Sequence, residues 1–247
     1  MFCFGKGESA PAATRCAGEC VRILTVNEPV LVLASNSPRR RELLKLVGWP
    51  FENRPADVNE SQRPGEAPTA YVLRLAESKA RMCAKTARES DVILAADTAV
   101  VAGQAILGKP KDPAEAVMML QNLRGHSHEV HTGLAVLRMS DRSLVTDLCV
   151  TEVPMRAYRD DEIEAYVATG DPLDKAGAYA IQHIGFHPVE SLSGCYASVM
   201  GLPLCHLTRC LRSFGLAPKT DIAAHCQSAL DYACPISSAV LRGEKVG

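Results

Sequence analysis

The sequence predicts an α/β protein built on a mixed β-sheet. Three patterns carry that expectation. Continuous apolar runs at Val30–Ala34 and Val92–Ala96 have the form of strands buried on both faces. Segments with helical apolar spacing follow them. The pair Gly103-Gln104, between apolar stretches, signals an antiparallel hairpin, so the sheet is not purely parallel.

Taken in order, residues 1–29 mix Gly, Ser, Ala and Pro without a period and are expected to be a flexible N-terminal extension. Order is expected from Val30. After that strand, Ser37 is a natural N-cap and Pro38 a natural first helical residue, with Leu43, Leu44 and Val47 on the inner side and Gly48 as the stop. Val72, Leu75, Ala76, Met82 and Cys83 space a helix from Pro68 to about Glu89. The second buried strand, Val92–Ala96, is expected to end at the polar pair Asp97-Thr98. Asp112 and Glu115 bracket Pro113 as a capping box for a helix that stops near Gly125. Residues 128–138 and 144–157 read as longer strands, and Asp161 and Glu164 open a helix closed by Gly170. A final amphipathic helix from Pro203 carries Leu204, Leu207, Leu211 and Phe214 inward. Residues 30–215 are thus the expected domain, and 216–247 a tail whose weak periodicity specifies no fold.

With 27 basic and 28 acidic side chains and a net charge of −1, the chain lacks the broad positive surface that nucleic acid requires. No apolar run approaches the roughly 20 residues of a membrane span, and residues 1–29 lack the apolar core of a secretory signal. A soluble cytoplasmic protein is expected. Its ten cysteines form no CxxC pair, so reduced thiols are expected in place of a disulfide framework, a zinc site or an iron–sulfur site. His126, His128 and His131 do not share one strand face and are not read as metal ligands.

Candidate chemistry gathers in five places. Ser35 to Arg41 forms a polar turn into a helix, where free backbone N–H groups favour an anion; Arg39 and Arg40 in the first turn make sense with that anion bound. Lys79 interrupts the apolar stripe of its helix, so it either snorkels to water or reaches a buried anionic site. Asp97-Thr98 offers a carboxylate at a strand end, suited to general base or cation-binding work. Gly103 to Pro110 nearly matches the phosphate loop, but Pro110 replaces the hydroxyl and Ala105–Leu107 reads as a strand; Lys109 can still meet a phosphate as a point charge. Asp171 to Gln182 reads as a structured loop lining a ligand, with Gln182 able to donate and accept at a base edge.

Together, LASNSPRRRELL, AADTAVV, LGKP, HTG, DPLDKAGAYAIQ and GLPL, in that order between about Val30 and Gly215, resemble the Maf family of nucleotide pyrophosphatases. The resemblance implies an elongated mixed sheet flanked by helices, shared with the inosine-triphosphate pyrophosphatases, and a homodimer. It implies hydrolysis of a nucleoside triphosphate to the monophosphate and pyrophosphate, assisted by a divalent cation, Mg²⁺ or Mn²⁺. By motif position Asp97 would be the proton acceptor; Arg39, Thr98 and Gln182 match positions linked to specificity. Arg40, Lys79 and Lys109 match basic positions that would hold the triphosphate, and Glu60 an acidic position that would bind the metal with Asp97. Ser35, Ser37, Asp174 and Lys175 stand within the matching motifs and complete the expected substrate site. The LDKAGAY-Gln string resembles the branch acting on dTTP and UTP; 7-methyl-GTP hydrolysis and a non-catalytic nucleotide-binding role in cell division are the alternatives. The sequence departs from the family pattern at Asp171, His183 and Ala197-Ser198-Val199.

Overall fold

The computed structural model describes residues 29–218 and 220–247; the expected flexible extension lies outside them, save for Pro29. The elements are β1 (Val30–Leu33), α1 (Pro38–Lys45), β2 (Phe51–Asn53), α2 (Pro68–Cys83), β3 (Asp91–Ala102) and β4 (Ala105–Leu107). They continue with α3 (Pro113–Leu123), β5 (Ser127–Arg138), β6 (Leu144–Pro154), α4 (Asp160–Ala168) and α5 (Tyr196–Val199). Last come α6 (Leu204–Ser213), α7 (Ile222–Leu230) and α8 (Ser237–Leu241). One mixed sheet runs β2-β1-β3-β5-β6, with β4 also on β3. The β1 pairings with β2 and β3 are parallel, and the rest are antiparallel.

The strand at Val92 does not end at Ala96. It runs twelve residues, because Asp97 and Thr98 stay in register with Gly133 and Thr132 of β5. At about 3.3 Å per residue this strand spans about 40 Å. Its other edge is shared: β1 pairs with Asp91–Leu94 and β4 with Val100–Ala102. Between those two partners the edge of β3 is open, and Asp97 and Thr98 lie in that gap.

Strand alternation then sends neighbouring residues to opposite faces. Ile93 and Ala95 pack with Ala76 and Ala80 of α2, whereas Leu94 and Ala96 pack with Leu43 and Leu44 of α1 and Leu204, Leu207 and Leu211 of α6. Farther along, Val100 and Val130 join a second core with α3 and α4, including Leu120, Tyr158 and Tyr166. Close docking of α2 requires Gly133: a Cβ there would stand 2.8 Å from the Val72 carbonyl group.

Most expected boundaries agree to within a few residues. The second helix stops at Cys83 and passes into a 3₁₀ turn at Ala84–Thr86. Gly103-Gln104 is the hairpin turn between β3 and β4, so the near-match to a phosphate loop has no strand–loop–helix context. The tail differs most from its weak pattern. It forms α7 and α8, with Ile222 and Val240 buried and Cys226, Leu230 and Ile236 packed on the core beneath α6.

Candidate active site

The open edge of β3 forms the floor of a cleft of about 510 Å³. Ser35, Ser37, Arg39, Arg40, Glu60, Lys79, Asp97, Thr98, Lys109, Asp174, Lys175 and Gln182, the whole expected set, line it. Three elements meet there because β1 stops at Leu33 and the chain turns away through Ser35–Ser37 into α1. Ser37 caps that helix, its Oγ accepting from the Arg40 N–H at 3.4 Å.

On one face Asp97, 7% exposed, accepts a hydrogen bond from Lys79 Nζ at 2.6 Å. The same ammonium lies 2.6 Å from Glu60 Oε1. Lys79 therefore does not snorkel; it answers two carboxylates. Helix α2 also fixes the loop carrying Glu60: the Tyr71 hydroxyl donates to the Glu60 carbonyl at 2.9 Å and Arg74 Nη2 to the Ser61 carbonyl at 3.1 Å. Burial raises the Asp97 pKa above the ordinary value of 3.8, while Lys79 and Arg40 pull it back and Glu60 adds to the rise.

On the other face Arg40 is held by three acceptors. Nε donates to the Gly201 carbonyl at 2.8 Å, Nη2 to Thr98 Oγ1 at 3.0 Å and Nη1 to Ser35 Oγ at 3.4 Å. A guanidinium has five N–H groups, so two remain for a ligand. Desolvation of the head group lowers the Arg40 pKa, against the opposing pull of Asp97. Thr132 donates to the Ser198 carbonyl at 2.9 Å and lies 3.0 Å from Thr98 Oγ1. With the Thr132 proton spent on Ser198, Thr98 must donate to Thr132, leaving its lone pairs for Arg40. Thr98 thus orients Arg40 and has no proton for a ligand. Gly201, at φ 109°, is needed at this contact: a Cβ would stand 3.2 Å from Arg40 Nε.

The loop after α4 forms 3₁₀ turns at Asp171–Asp174 and Ala176–Ala178. Lys175 is buried, and its Nζ donates to the Asp171 carbonyl, Asp171 Oδ1 and Asp174 Oδ1 at 2.6, 2.9 and 2.6 Å. All three of its protons are taken within the loop. Gln182 and Lys109 are exposed on the cleft rim. Among the described residues Arg39, Arg40 and Lys109 are paired with no acid and outnumber the unpaired Asp57, so the cleft lining beside the Asp97–Lys79–Glu60 group is net positive.

The departures from the family pattern have local partners. Asp171 accepts from the Tyr166 hydroxyl at 2.7 Å, and His183 accepts from the Phe186 N–H at 3.0 Å beside the Tyr166 ring. Ser198 supplies the carbonyl that anchors Thr132. His128 meets the Tyr179 hydroxyl at 2.8 Å and burial lowers its pKa to about 4, while His131 meets Glu129 at 2.7 Å. Sequence reasoning missed Tyr71, Thr132 and the Ser198 and Gly201 carbonyls. Thr132 left a signal, a hydroxyl on the strand face shared with Val130, Leu134 and Val136; the carbonyls left none.

Among the described residues no three His, Cys, Asp or Glu side chains form a metal site. Asp97 and Glu60 nevertheless fit a hard divalent cation shared with a ligand, since such ions commonly take one or two carboxylates plus substrate phosphates. Their Oδ2 and Oε2 atoms are not the ones bound to Lys79.

Comparison with known proteins gives consistent relatives. A dTTP/UTP pyrophosphatase of Citrifermentans bemidjiense is 49% identical over 185 residues, which are 75% of this chain and 95% of that protein. A dTTP/UTP pyrophosphatase of Anaeromyxobacter dehalogenans is 51% identical over 189 residues, 76% of this chain and 95% of that protein. A solved HAM1 protein from Coxiella burnetii has 16% identity and a TM-score of 0.42 over 86% of this chain and 98% of its own, a likeness too remote to argue from. The Maf-like protein family model matches residues 30–214, the whole span that builds the sheet and the cleft, and the chain belongs to that family.

Proposed function

We propose that this protein hydrolyses dTTP and UTP to the monophosphate and pyrophosphate. The observation that carries the proposal is the cleft itself: a buried carboxylate, Asp97, stands beside cations paired with no acid, within a stretch of 185 residues that is 49% identical to a dTTP/UTP pyrophosphatase. A triphosphate carries about four negative charges, which Arg39, Arg40 and Lys109 offset in part; positioning and charge stabilisation do most of the work in phosphoryl transfer.

In this reading Asp97 takes a proton from water, whose oxygen attacks the α-phosphorus; the bond to the bridging oxygen breaks and pyrophosphate leaves. A raised pKa makes Asp97 a stronger base than a free aspartate. Mg²⁺ or Mn²⁺, held by Asp97 and Glu60 with the phosphates, would supply further neutralisation of charge. Lys79 keeps the two carboxylates together. Arg40, braced by Ser35, Thr98 and Gly201, points its two remaining N–H groups at phosphate oxygens, while the Ser37 hydroxyl donates to another. Gln182 addresses the base, and Asp174 and Lys175 hold the shape of its loop. The homodimer and cytoplasmic location belong to the same reading; no described helix is long and apolar enough to cross a membrane. Light scattering of the purified chain tests the dimer.

The deciding assay is pyrophosphate release from dTTP, UTP, 7-methyl-GTP and the standard nucleotides, with Asp97→Asn as control. Highest kcat/KM for dTTP and UTP is expected. A clear preference for 7-methyl-GTP would overturn the base assignment, and equal, negligible release by wild type and variant would leave a nucleotide-binding protein.

A further inference from the structure

The C-terminal segment assembles thiols behind the wall of the cleft. Cys195 precedes α5, is buried in the same core as Cys149, and lines one small cavity together with Cys234. Cys234 is half-buried, and its Sγ lies 3.8 Å from the Gly194 carbonyl. The same stretch is pinned by Tyr232, whose hydroxyl accepts from the Gly194 N–H at 3.2 Å and lies 2.9 Å from the Gly194 carbonyl. Cys195 and Cys234 are therefore adjacent by construction, one on the segment feeding α5 and the other on the tail beyond the family match.

We propose that Cys195 and Cys234 are a redox-modifiable thiol pair, closed to a disulfide by a hydroperoxide, and that closure is felt at Arg40 through α5.

The pair has the asymmetry such chemistry uses, an accessible attacking thiolate beside a resolving thiol. Hydrogen bonds from the Cys195 thiol and from the Ile236 and Ser237 N–H groups lower Cys234 to about 6, against its partial burial. Cys195 has one proton to donate. Contacts with Cys195 and His206 lower Cys149 as well, to about 5, but Cys149 has no exposed surface, so Cys234 is the thiol that a peroxide can reach. Burial pushes the neighbouring Cys205 and Cys226 up to about 12 and about 11, leaving them protonated. In the reaction the Cys234 thiolate attacks one peroxide oxygen, the O–O bond breaks, and Cys234 becomes a sulfenic acid as hydroxide departs and is protonated. Cys195 sulfur then attacks Cys234 sulfur, the S–O bond breaks, and the Cys195 proton leaves with that oxygen as water. Two thiols and one hydrogen peroxide give one disulfide and two waters.

The route to the cleft is short. The Ser198 carbonyl in α5 accepts from Thr132 at 2.9 Å and from the Gly201 N–H at 2.8 Å, and the Gly201 carbonyl holds Arg40. Pulling Cys195 toward the tail draws on the helix that braces Arg40.

The test uses the full-length protein, reduced and then treated with hydrogen peroxide. Non-reducing peptide mapping is expected to show a Cys195–Cys234 linkage, with kcat/KM for dTTP lowered severalfold and restored by dithiothreitol. Cys234→Ser and Cys234→Ala should lack the linkage and the loss, and Cys226→Ser should keep both. Absence of that linkage, a different pairing, or a linkage with unchanged kcat/KM would overturn the proposal. So would stoichiometric zinc or iron in the reduced wild type that disappears in Cys234→Ser, since the thiols would then be metal ligands. The map reads the linkage whatever the substrate, and kcat/KM is read on whichever nucleotide the reduced protein hydrolyses, so a failure of dTTP hydrolysis falls on the function assignment alone.

Discussion

Asp97 is held between opposing influences, and its titration should report them. Burial and Glu60 raise its pKa; Lys79 and Arg40 lower it. A base works only when deprotonated, so kcat/KM should fall toward acid with a midpoint above the ordinary aspartate value of 3.8. Lys79→Met removes a cation that stabilises the carboxylate, so the acid limb should move to higher pH. A limb that stays put or moves toward acid would mean that Lys79 does not govern Asp97. Asp97→Asn should lower the rate by about 10²–10⁴-fold, the usual contribution of a general base, and a smaller loss in the pyrophosphate assay would count against its role as the proton acceptor. At this scale the sequence was informative where a polar residue broke an apolar pattern. Lys79 in an apolar helical stripe pointed to a buried anion or to snorkelling, and Asp97 was a carboxylate directly after an apolar strand. It was silent where function rests on backbone: nothing in GLPL shows that the Gly201 carbonyl orients Arg40.

Among the elements, β3 matters most, because its length creates the site. The polar pair Asp97-Thr98 looked like the end of a strand, but pairing with Gly133 and Thr132 carries the strand through. A cross-strand partner far along the chain overrides a local polar signal, and no local pattern could have shown it. The consequence is functional: adjacent residues leave on opposite faces, Asp97 toward α2 and Thr98 toward α1. Both faces depend on helices packed close to the sheet. Gly133→Ala would set a Cβ 2.8 Å from the Val72 carbonyl group, main-chain atoms that can give way only if α2 moves. Overpacking of this kind costs about 1–3 kcal/mol. A lower Tm together with reduced kcat is expected, because α2 carries Lys79 and anchors the Glu60 loop. Unchanged Tm and kcat would show that the helix has slack at this crossing.

For the whole molecule, the question is what the tail adds to a domain whose twelve expected site residues all precede Gly215. Relatives such as the Citrifermentans bemidjiense protein are covered to 95% by a match of 185 residues, so they have little length left for such a segment. The family domain should therefore fold without it. In this chain, however, Ile222 and Val240 are buried, and Thr220 Oγ1 donates toward the Leu46 and Val47 carbonyls at 3.3 Å, holding the end of α1. Complete burial of two such aliphatic side chains is worth about 3–6 kcal/mol. The weak period of 216–247 hid this because α7 and α8 are short and present few apolar residues each. They complete a core supplied by α1 and α6 without needing one of their own. Truncation after Gly215 should lower Tm by several degrees while leaving kcat/KM at low temperature close to that of the full chain, as differential scanning calorimetry and pyrophosphate release would show. An unchanged Tm would make the tail a loosely laid appendage. A folded but inactive truncation would instead mean that α7 and α8 hold the cleft in shape, since none of its expected substrate contacts comes from them.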